Sequence, residues 1–181
     1  MSEIPSFTNA AAATGAGDGK IHLPHEGEKS FILSVVQPGL AGLMDGSVSS
    51  LAPVFAAAFA TRDSRMAFLV GFATAVGAGI SMAFSEALSD DGKISGRGNP
   101  WLRGSICGAM TFLGAVGHTL PFLISNFDLA MAIAVAIVVV ELLAIAWVRH
   151  RYMDTPLLSA CFQVIVGGVI VFVAGILIGS S

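Results

Sequence analysis

The sequence is poor in charged side chains, and this scarcity excludes most soluble folds. Only 12% of the 181 residues are Asp, Glu, Lys or Arg, whereas 55% are hydrophobic, and the mean hydropathy is +0.81. A soluble domain of this length could not bury so much apolar surface. The composition therefore predicts a protein of the lipid bilayer.

Cysteine and the common catalytic motifs are also scarce. Both cysteines, Cys107 and Cys161, fall in apolar segments and lack the CxxC or Cys/His spacing that would hold zinc or an iron–sulfur cluster. The sequence has no GxGxxG after a strand, no Walker loop and no Ser/His/Asp order typical of a hydrolase. These absences predict a protein that is not an enzyme, holds no permanent cofactor and does not bind nucleic acid.

Five apolar segments follow a polar N-terminus. Each is about as long as the roughly 20 residues that cross about 30 Å of hydrocarbon as a helix. The segments are residues 31–60, 66–88, 104–127, 129–148 and 156–179. We therefore predict an all-α membrane protein with five transmembrane helices in residues 31–181, preceded by a mobile cytoplasmic tail in residues 1–30.

The basic residues predict the orientation of the chain. Of the nine lysines and arginines, only Arg62 and Arg65 lie between helices 1 and 2. Because cytoplasmic flanks carry the positive excess, we expect the N-terminus inside and the C-terminus outside. The first thirty residues lack the basic start and apolar core of a secretory signal peptide. The basic residues expected on the cytoplasmic side are Lys20, Lys29, Lys93, Arg97, Arg103, Arg149 and Arg151.

Ionisable residues inside the apolar segments are candidates for function, because a charge at a helix centre costs about 2.5 to 3.5 kcal/mol. Asp45 lies closest to the bilayer midplane, where so short a side chain cannot reach water. Glu86 lies near the cytoplasmic end of helix 2, on one face with Met82 and Asp90, although solvation at the interface would also explain it. The ionisable residues within the segments are Asp45, Glu86, His118 and Glu141.

Several of these candidates have an alternative explanation. His118 could be a satisfied core imidazole, or it could be a ligand or a proton relay. Glu141 could be functional, or it could pair with Arg149 or another neighbour. The N-terminal tail carries four potential ligands that could collect metal at the cytoplasmic mouth, or could simply be solvated: His22, His25, Glu26 and Glu28.

Asp45 and Met82 together favour a borderline transition metal. Mg²⁺ and Ca²⁺ require oxygen ligands, whereas a carboxylate with a thioether suits Fe²⁺ best, followed by Mn²⁺, Co²⁺ and Zn²⁺. Met82 alone would be interpreted as a packing residue, but together with Asp45 it predicts a metal site. Glu86 and Asp90 complete the predicted set of ligands, because they lie on the same helix face as Met82. Since one Asp and one Met cannot saturate a metal, we expect a two-fold homodimer that presents two of each.

Small residues and one proline predict how the helices pack. Pro53 cannot donate a hydrogen bond to the Ser49 carbonyl, so a kink is expected about one turn from Asp45. Small residues spaced four apart allow helix backbones to approach closely in lipid. Residues with this spacing are Gly71, Ala75 and Gly79 in helix 2, Gly104 and Gly108 in helix 3, and Gly175 and Gly179 in helix 5.

The stretches "GLMDGSVSSLAPVFAAAFA" and "GFATAVGAGISMAFSEALSD" resemble the first two helices of the vacuolar iron transporter family, and the similarity continues through "GAVGHTLPFL" and "VIVGGVIVFVAGILIG". It covers about residues 35–179. The resemblance implies a homodimer of five-helix subunits, with a metal path along the dimer interface and Asp45, Met82 and Glu86 at the family's aspartate, methionine and glutamate. It also implies proton-coupled export of Fe²⁺ or Mn²⁺ from the cytoplasm.

The sequence departs from this family in two places. Plant and yeast-like members carry a Glu-rich metal-binding domain between helices 2 and 3, whereas this chain has only "SDDGKISGRGNPWLRG" there. The acidic residues that remain on the cytoplasmic side of helix 2 are Glu86, Asp90 and Asp91. The stretch "QPGLAGLMDGSVSSLAP" is similar to the transporter half of bacterial membrane-bound ferritins, which export iron. Those proteins also carry an N-terminal ferritin-like bundle, which the thirty Ala/Gly-rich residues before the first apolar segment cannot form. This similarity implies a bacterial inner membrane.

Asp45 can hold a proton or share a metal, but not both, and this exclusion is the physical basis of the antiport that we expect.

Two functions other than antiport remain open at this point. A non-transporting membrane scaffold or assembly partner is the main alternative, with Asp45 and Glu86 pairing with hydroxyls or neighbouring helices. A membrane-embedded hydrolase built on His118 is disfavoured, because no paired carboxylates accompany it at catalytic spacing.

Overall fold

A computed structural model describes residues 26–153 and 156–181, and within these residues it contains helices and turns but no strand. The all-α fold class is therefore confirmed. In chain order the elements are α1 (Glu26–Phe31), a π-helical turn (Ile32–Val36), α2 (Gln37–Ser49), α3 (Leu51–Thr61), α4 (Ser64–Ser89), α5 (Pro100–Gly117), a 3-10 turn (Leu120–Leu123), α6 (Phe127–Tyr152) and α7 (Leu157–Gly179).

The first span is one long helical segment with a break near its middle. It covers Glu26–Thr61, so helix begins five residues before the predicted start at residue 31. The interruption expected from Pro53 is confirmed: α2 ends at Ser49, and Ser50 (φ −81°, ψ −13°) separates it from α3. Residues 1–25 of the predicted tail, including His22 and His25, lie outside the described residues.

Among the residues that the structure describes, four helical segments are long and apolar enough to cross a membrane, which indicates an integral membrane protein. The predicted third helix differs from the others, because α5 ends at Gly117 and a 3-10 turn containing Pro121 follows. Its 18 residues include four glycines and Arg103, so a fifth span stays a prediction. The four segments are Glu26–Thr61, Ser64–Ser89, Phe127–Tyr152 and Leu158–Gly179.

Helix α5 lies between α4 and α2, and small residues allow the close approach on both sides. Towards α4, a Cβ atom on Gly108 would lie 2.5 Å from the Gly79 carbonyl oxygen and 2.6 Å from the Ala83 Cβ. Towards α2, Gly42 and Gly46 lie directly against the α5 backbone. The predicted close packing is therefore confirmed, and it occurs within one chain.

Helix α7 packs on α3 in the same manner. Gly175 lies against Ala52, and Gly179 lies against Ala56. The small-residue faces named from the sequence are thus covered inside the protomer. A second copy of the chain would have to use a different surface.

Apolar side chains fill the interior and also cover the outside of the bundle. Inside, the Phe55 ring meets Phe172 edge-on with ring centroids 4.7 Å apart, and Phe122 at 6.4 Å. An apolar exterior is expected of helices in lipid, where all backbone groups are satisfied within the helix. Exposed examples include Leu69, Phe72, Ile80, Val140, Leu143, Phe162, Ile170 and Leu177.

We predict that Gly108→Ala lowers the thermal unfolding midpoint of the purified protein in detergent, because the new methyl group would force α4 and α5 apart. The matched control is Gly167→Ala in α7, where an added Cβ has no atom within 4 Å and helix propensity favours alanine. Equal midpoints for the two variants would show that close packing of α5 does not limit stability.

Candidate functional site

Asp45 lies in the middle of α2, and its carboxylate has no partner among the described residues. The side chain is half-buried, and no hydrogen bond or ion pair to its carboxylate oxygens occurs within residues 26–153 and 156–181. Its backbone carbonyl accepts a hydrogen bond from the Ser49 hydroxyl at 2.6 Å. An unpartnered carboxylate at this depth is a functional candidate.

Asp45 lies on an outward-facing strip of α2. The residues one turn before and one turn after it, Ala41 and Ser49, are both exposed, whereas Gly42 and Gly46 face α5. A carboxylate on this strip would meet lipid unless another molecule covers it. The side chains of the strip are small enough for another helix to approach it closely.

The packing register on α5 separates the four predicted metal ligands into two levels. Gly46 lies against Thr111, and Gly79 lies between Gly108 and Phe112, so Asp45 is near the level of Gly79 in α4. Met82 is three residues further along α4, and Glu86 is seven residues further, or about 10 Å at 1.5 Å per residue. The structure thus brings Asp45 and Met82 to neighbouring levels and leaves Glu86 and Asp90 apart from them.

Glu86 and Asp90 form ion pairs with two arginines, and we call these four side chains the acidic–arginine cluster. Arg103 is completely buried; its Nε lies 3.0 Å from Glu86 Oε1, and its Nη2 lies 3.2 Å from Asp90 Oδ2. Arg97 contacts the same two oxygens at 2.7 and 3.3 Å. The charges of the cluster balance, so a divalent cation would not meet an acidic site there.

The cluster joins the end of α4 to the start of α5. Arg103 also donates to the carbonyl oxygens of Asp90 and Gly98, at 3.1 and 3.2 Å, and Gly92 and Gly98 supply the left-handed backbone that the loop needs (φ +76° and +74°). The third helix was predicted to begin at residue 104, which left Arg103 outside it, and this boundary was wrong. Helix α5 begins at Pro100, so Arg103 belongs to its first turn, where its charge is buried against carboxylates.

Asp90 is fully engaged by protein donors. Its Oδ1 accepts from the Ser95 hydroxyl at 2.8 Å and from the Gly92 amide, while its Oδ2 accepts from both arginines. The Ser95 hydrogen bond, followed by the Gly92 amide and the nearby guanidinium groups, lowers the pKa of Asp90 below its ordinary 3.8. Glu86 differs, because its Oε2 has no donor among the described residues. The predicted metal roles of both residues stay predictions.

A second polar cluster lies deep in the bundle and joins three separate helical segments. His118, completely buried at the end of α5, places its Nε2 3.0 Å from Ser50 Oγ and its Nδ1 3.0 Å from Glu141 Oε2. Ser50 is also completely buried and donates its hydroxyl hydrogen to the Gly46 carbonyl. We call Ser50, His118 and Glu141 the buried triad.

The buried triad gives each of its two titratable members a partner. His118 has a hydrogen-bond partner at both ring nitrogens, and Glu141 pairs with it rather than with Arg149. The sequence offered one signal for this pairing: a histidine and a glutamate in separate apolar segments each need a partner when buried. Ser50 could not be found in this way, because serine is common in the first span.

The order Ser–His–Glu is that of a serine hydrolase, but the hydrogen bonds do not match. In a hydrolase, the serine hydrogen is directed at the histidine, whereas Ser50 directs it at the Gly46 carbonyl. Both Ser50 and His118 have no exposed surface, so a substrate cannot reach them in this conformation. The triad therefore gives no support to the hydrolase alternative.

Comparisons with protein-family models, curated proteins and solved structures gave no match to this chain. In the part of the chain that the structure describes, no three His, Cys, Asp or Glu side chains are grouped to hold one metal ion. A metal ion held by Asp45 and Met82 would therefore need further ligands beyond these two side chains.

We predict that Arg103→Gln destabilises the protein by about 3 kcal/mol, because Glu86 would lose the guanidinium of a buried ion pair. Thermal unfolding in detergent measures the change. Arg62→Gln is the matched control, since Arg62 pairs with Asp128 at 3.2 Å with both side chains largely exposed, and such pairs contribute little. A midpoint unchanged in both variants would contradict a structural role for Arg103.

Proposed function

We propose that this chain exports a divalent transition metal from the cytoplasm in exchange for protons, with Fe²⁺ preferred and Mn²⁺, Co²⁺ and Zn²⁺ as further substrates. The observation that carries the proposal is Asp45, a half-buried carboxylate without a protein partner among the described residues, in the middle of the first span. A group that binds either a proton or a cation is the minimal requirement of such an antiporter.

The likeness to the vacuolar iron transporter family and to the transporter half of bacterial membrane-bound ferritins supports this proposal. On this reading Met82 supplies a soft ligand about one turn from the level of Asp45. The chain would reside in a bacterial inner membrane with five spans, the fifth being α5 with its 3-10 turn. The N-terminus would lie in the cytoplasm and the C-terminus outside.

A second copy of the chain would complete the metal site. Besides the outward strip of α2 that carries Asp45, helix α4 has an exposed row of small residues at Ala73, Gly77 and Ser81, beside the half-buried Met82. A Cβ atom on Gly77 would have no atom of the same chain within 4 Å. Joining these surfaces about a two-fold axis would cover Asp45 and supply two carboxylates and two thioethers.

The non-transporting scaffold is favoured by one observation, the acidic–arginine cluster. Glu86 and Asp90 act there as a structural link between α4 and α5, as that alternative requires. The scaffold alternative, however, leaves the unpartnered Asp45 without a role. We therefore retain Glu86 in the transport proposal only through its free Oε2, as a ligand near the cytoplasmic end of the path.

We predict that Asp45→Asn abolishes Fe²⁺ flux and metal-driven proton flux in proteoliposomes, because the amide can neither bind a proton nor neutralise the metal. The measurement uses a metal panel under an imposed pH gradient. Asp128→Asn is the matched control, since that carboxylate is exposed at the start of α6. Undiminished flux in folded Asp45→Asn would refute the proposal, and wild type without any metal flux would favour the scaffold.

We predict that Ser81→Cys crosslinks two chains in membranes, because the exposed row on α4 would face its own copy. The variant is made with Cys161→Ala, while Cys107 is buried. Val139→Cys, exposed on α6, serves as the matched control and should remain monomeric. Only monomers for Ser81→Cys would argue against this interface.

A further inference from the structure

The hydrogen atoms of the buried triad can be assigned from its partners. The Gly46 carbonyl can only accept, so the single hydrogen of the Ser50 hydroxyl is directed at it. The Ser50 oxygen must then accept from His118, which requires a hydrogen on Nε2. The Nε2 hydrogen is therefore required for as long as the Ser50 hydroxyl donates to Gly46.

The bond between His118 Nδ1 and Glu141 Oε2 contains one further hydrogen. At 3.0 Å, two facing lone pairs would repel, so the hydrogen lies either on the ring nitrogen or on the carboxyl group. In both cases histidine and glutamate together carry no net charge. A neutral pair is the form that an apolar interior tolerates.

Loss of that hydrogen would rearrange the whole triad. The Glu141 carboxylate would then need the only ring hydrogen on Nδ1, which leaves a lone pair on Nε2. The Ser50 hydroxyl would have to turn from the Gly46 carbonyl towards Nε2. Gly46 would lose its bond at the point where α2 ends and α3 begins.

The surroundings make Glu141 the route for the proton. Its side chain retains 14% exposure, whereas that of His118 has none. Gly117 allows the carboxyl group to lie against α5, since a Cβ atom there would collide with Glu141 Oε1. Within the triad, Glu141 therefore has the larger exposed surface from which a proton could leave.

Few other titratable or charged groups lie on the elements packed around the triad. Helix α3 and the 3-10 turn carry none. The groups on the other elements are Asp45 on α2, Arg65 and Glu86 on α4, Arg103 and Cys107 on α5, Cys161 on α7, and Asp128, Arg149, His150, Arg151 and Tyr152 at the ends of α6. Asp45 is the one charged group among them that lies in the middle of a span, and it belongs to the segment that Ser50 interrupts.

We propose that His118 and Glu141 form a binding site for one transferable proton, and that Ser50 couples the occupancy of this site to the break in the first span. The ligand is the proton itself, bound between Nδ1 and Oε2. Release of this proton removes the Ser50 to Gly46 bond, one residue from Asp45 along the chain. The coupling to metal export rests on the proposed function, whereas the proton site does not.

The first test measures the proton site without transport. In purified protein in lipid nanodiscs, ¹⁵N NMR of His118 reports its tautomer across a pH series. We expect a hydrogen on Nε2 at low pH and its loss from Nε2 at high pH. A hydrogen that stays on Nε2 throughout the series in wild type would overturn the proposal, whatever the variants do.

The variant Glu141→Gln tests the same site chemically. The glutamine amide can donate to Nδ1 as the protonated carboxyl would, so we expect His118 to keep its Nε2 hydrogen at every pH. Asp128→Asn, on the same helix, should retain the wild-type tautomer change. A tautomer change that persists in Glu141→Gln would assign the titration to another group and overturn the proposal.

The second test measures the coupling in proteoliposomes. We expect Ser50→Ala to lose the acceleration of metal efflux by an inward proton gradient, and Ser50→Thr, which restores a hydroxyl, to recover it. Thr74→Ala, which removes a similar hydroxyl bonded to the Val70 carbonyl at 2.8 Å, is the control for folding. Full acceleration in Ser50→Ala would overturn the role of Ser50.

The outcomes distinguish this inference from the proposed function. A His118 tautomer change in a protein that moves no metal would leave the proton site intact and reject export. Metal flux without a tautomer change would reject the proton site and leave export intact. Covalent labelling of Ser50 by a fluorophosphonate would overturn the inference in favour of a hydrolase.

Discussion

The close approach of α5 to both α2 and α4 brings together the side chains of both polar clusters. Lipid provides little hydrophobic driving force between helices, so their association relies on shape and short contacts. Gly42, Gly46, Gly79 and Gly108 allow two helix backbones to lie directly against α5. With α5 in this position, Arg103 reaches Glu86 and Asp90 at one end of the bundle, and His118 reaches Ser50 and Glu141 further along it.

The two polar clusters solve the same physical problem in different ways. The acidic–arginine cluster keeps full charges and balances them where Glu86 and Asp90 are still partly exposed. The buried triad lies inside the bundle, where His118 and Glu141 are hydrogen-bonded to each other and His118 is also hydrogen-bonded to Ser50. Asp45 follows neither pattern within the described chain. Its isolation is the reason that the proposed function centres on this residue.

The sequence predicted the parts of the fold that depend on composition and local chemistry. The all-α class and the interruption before Pro53 follow from hydropathy and from the missing proline N–H. The third helix was predicted to end at residue 127, but α5 ends ten residues earlier, at Gly117. The prediction was wrong because the apolar run continues through Leu120, Phe122 and Leu123, although Pro121 prevents regular helix there. The partners of Glu86, Asp90 and His118 could not be predicted, because they depend on which helices become neighbours.

Helix α5 also constrains how the protein enters a membrane. With four glycines and the fully buried Arg103 in 18 residues, it is a poor candidate to leave the translocation machinery for lipid alone, since an unpaired charge in apolar surroundings is costly. Glu86 and Asp90 precede it by only a short loop and neutralise Arg103 once α4 is beside it. Helices α4 and α5 would therefore partition together, as a hairpin whose charges cancel before either helix is surrounded by lipid.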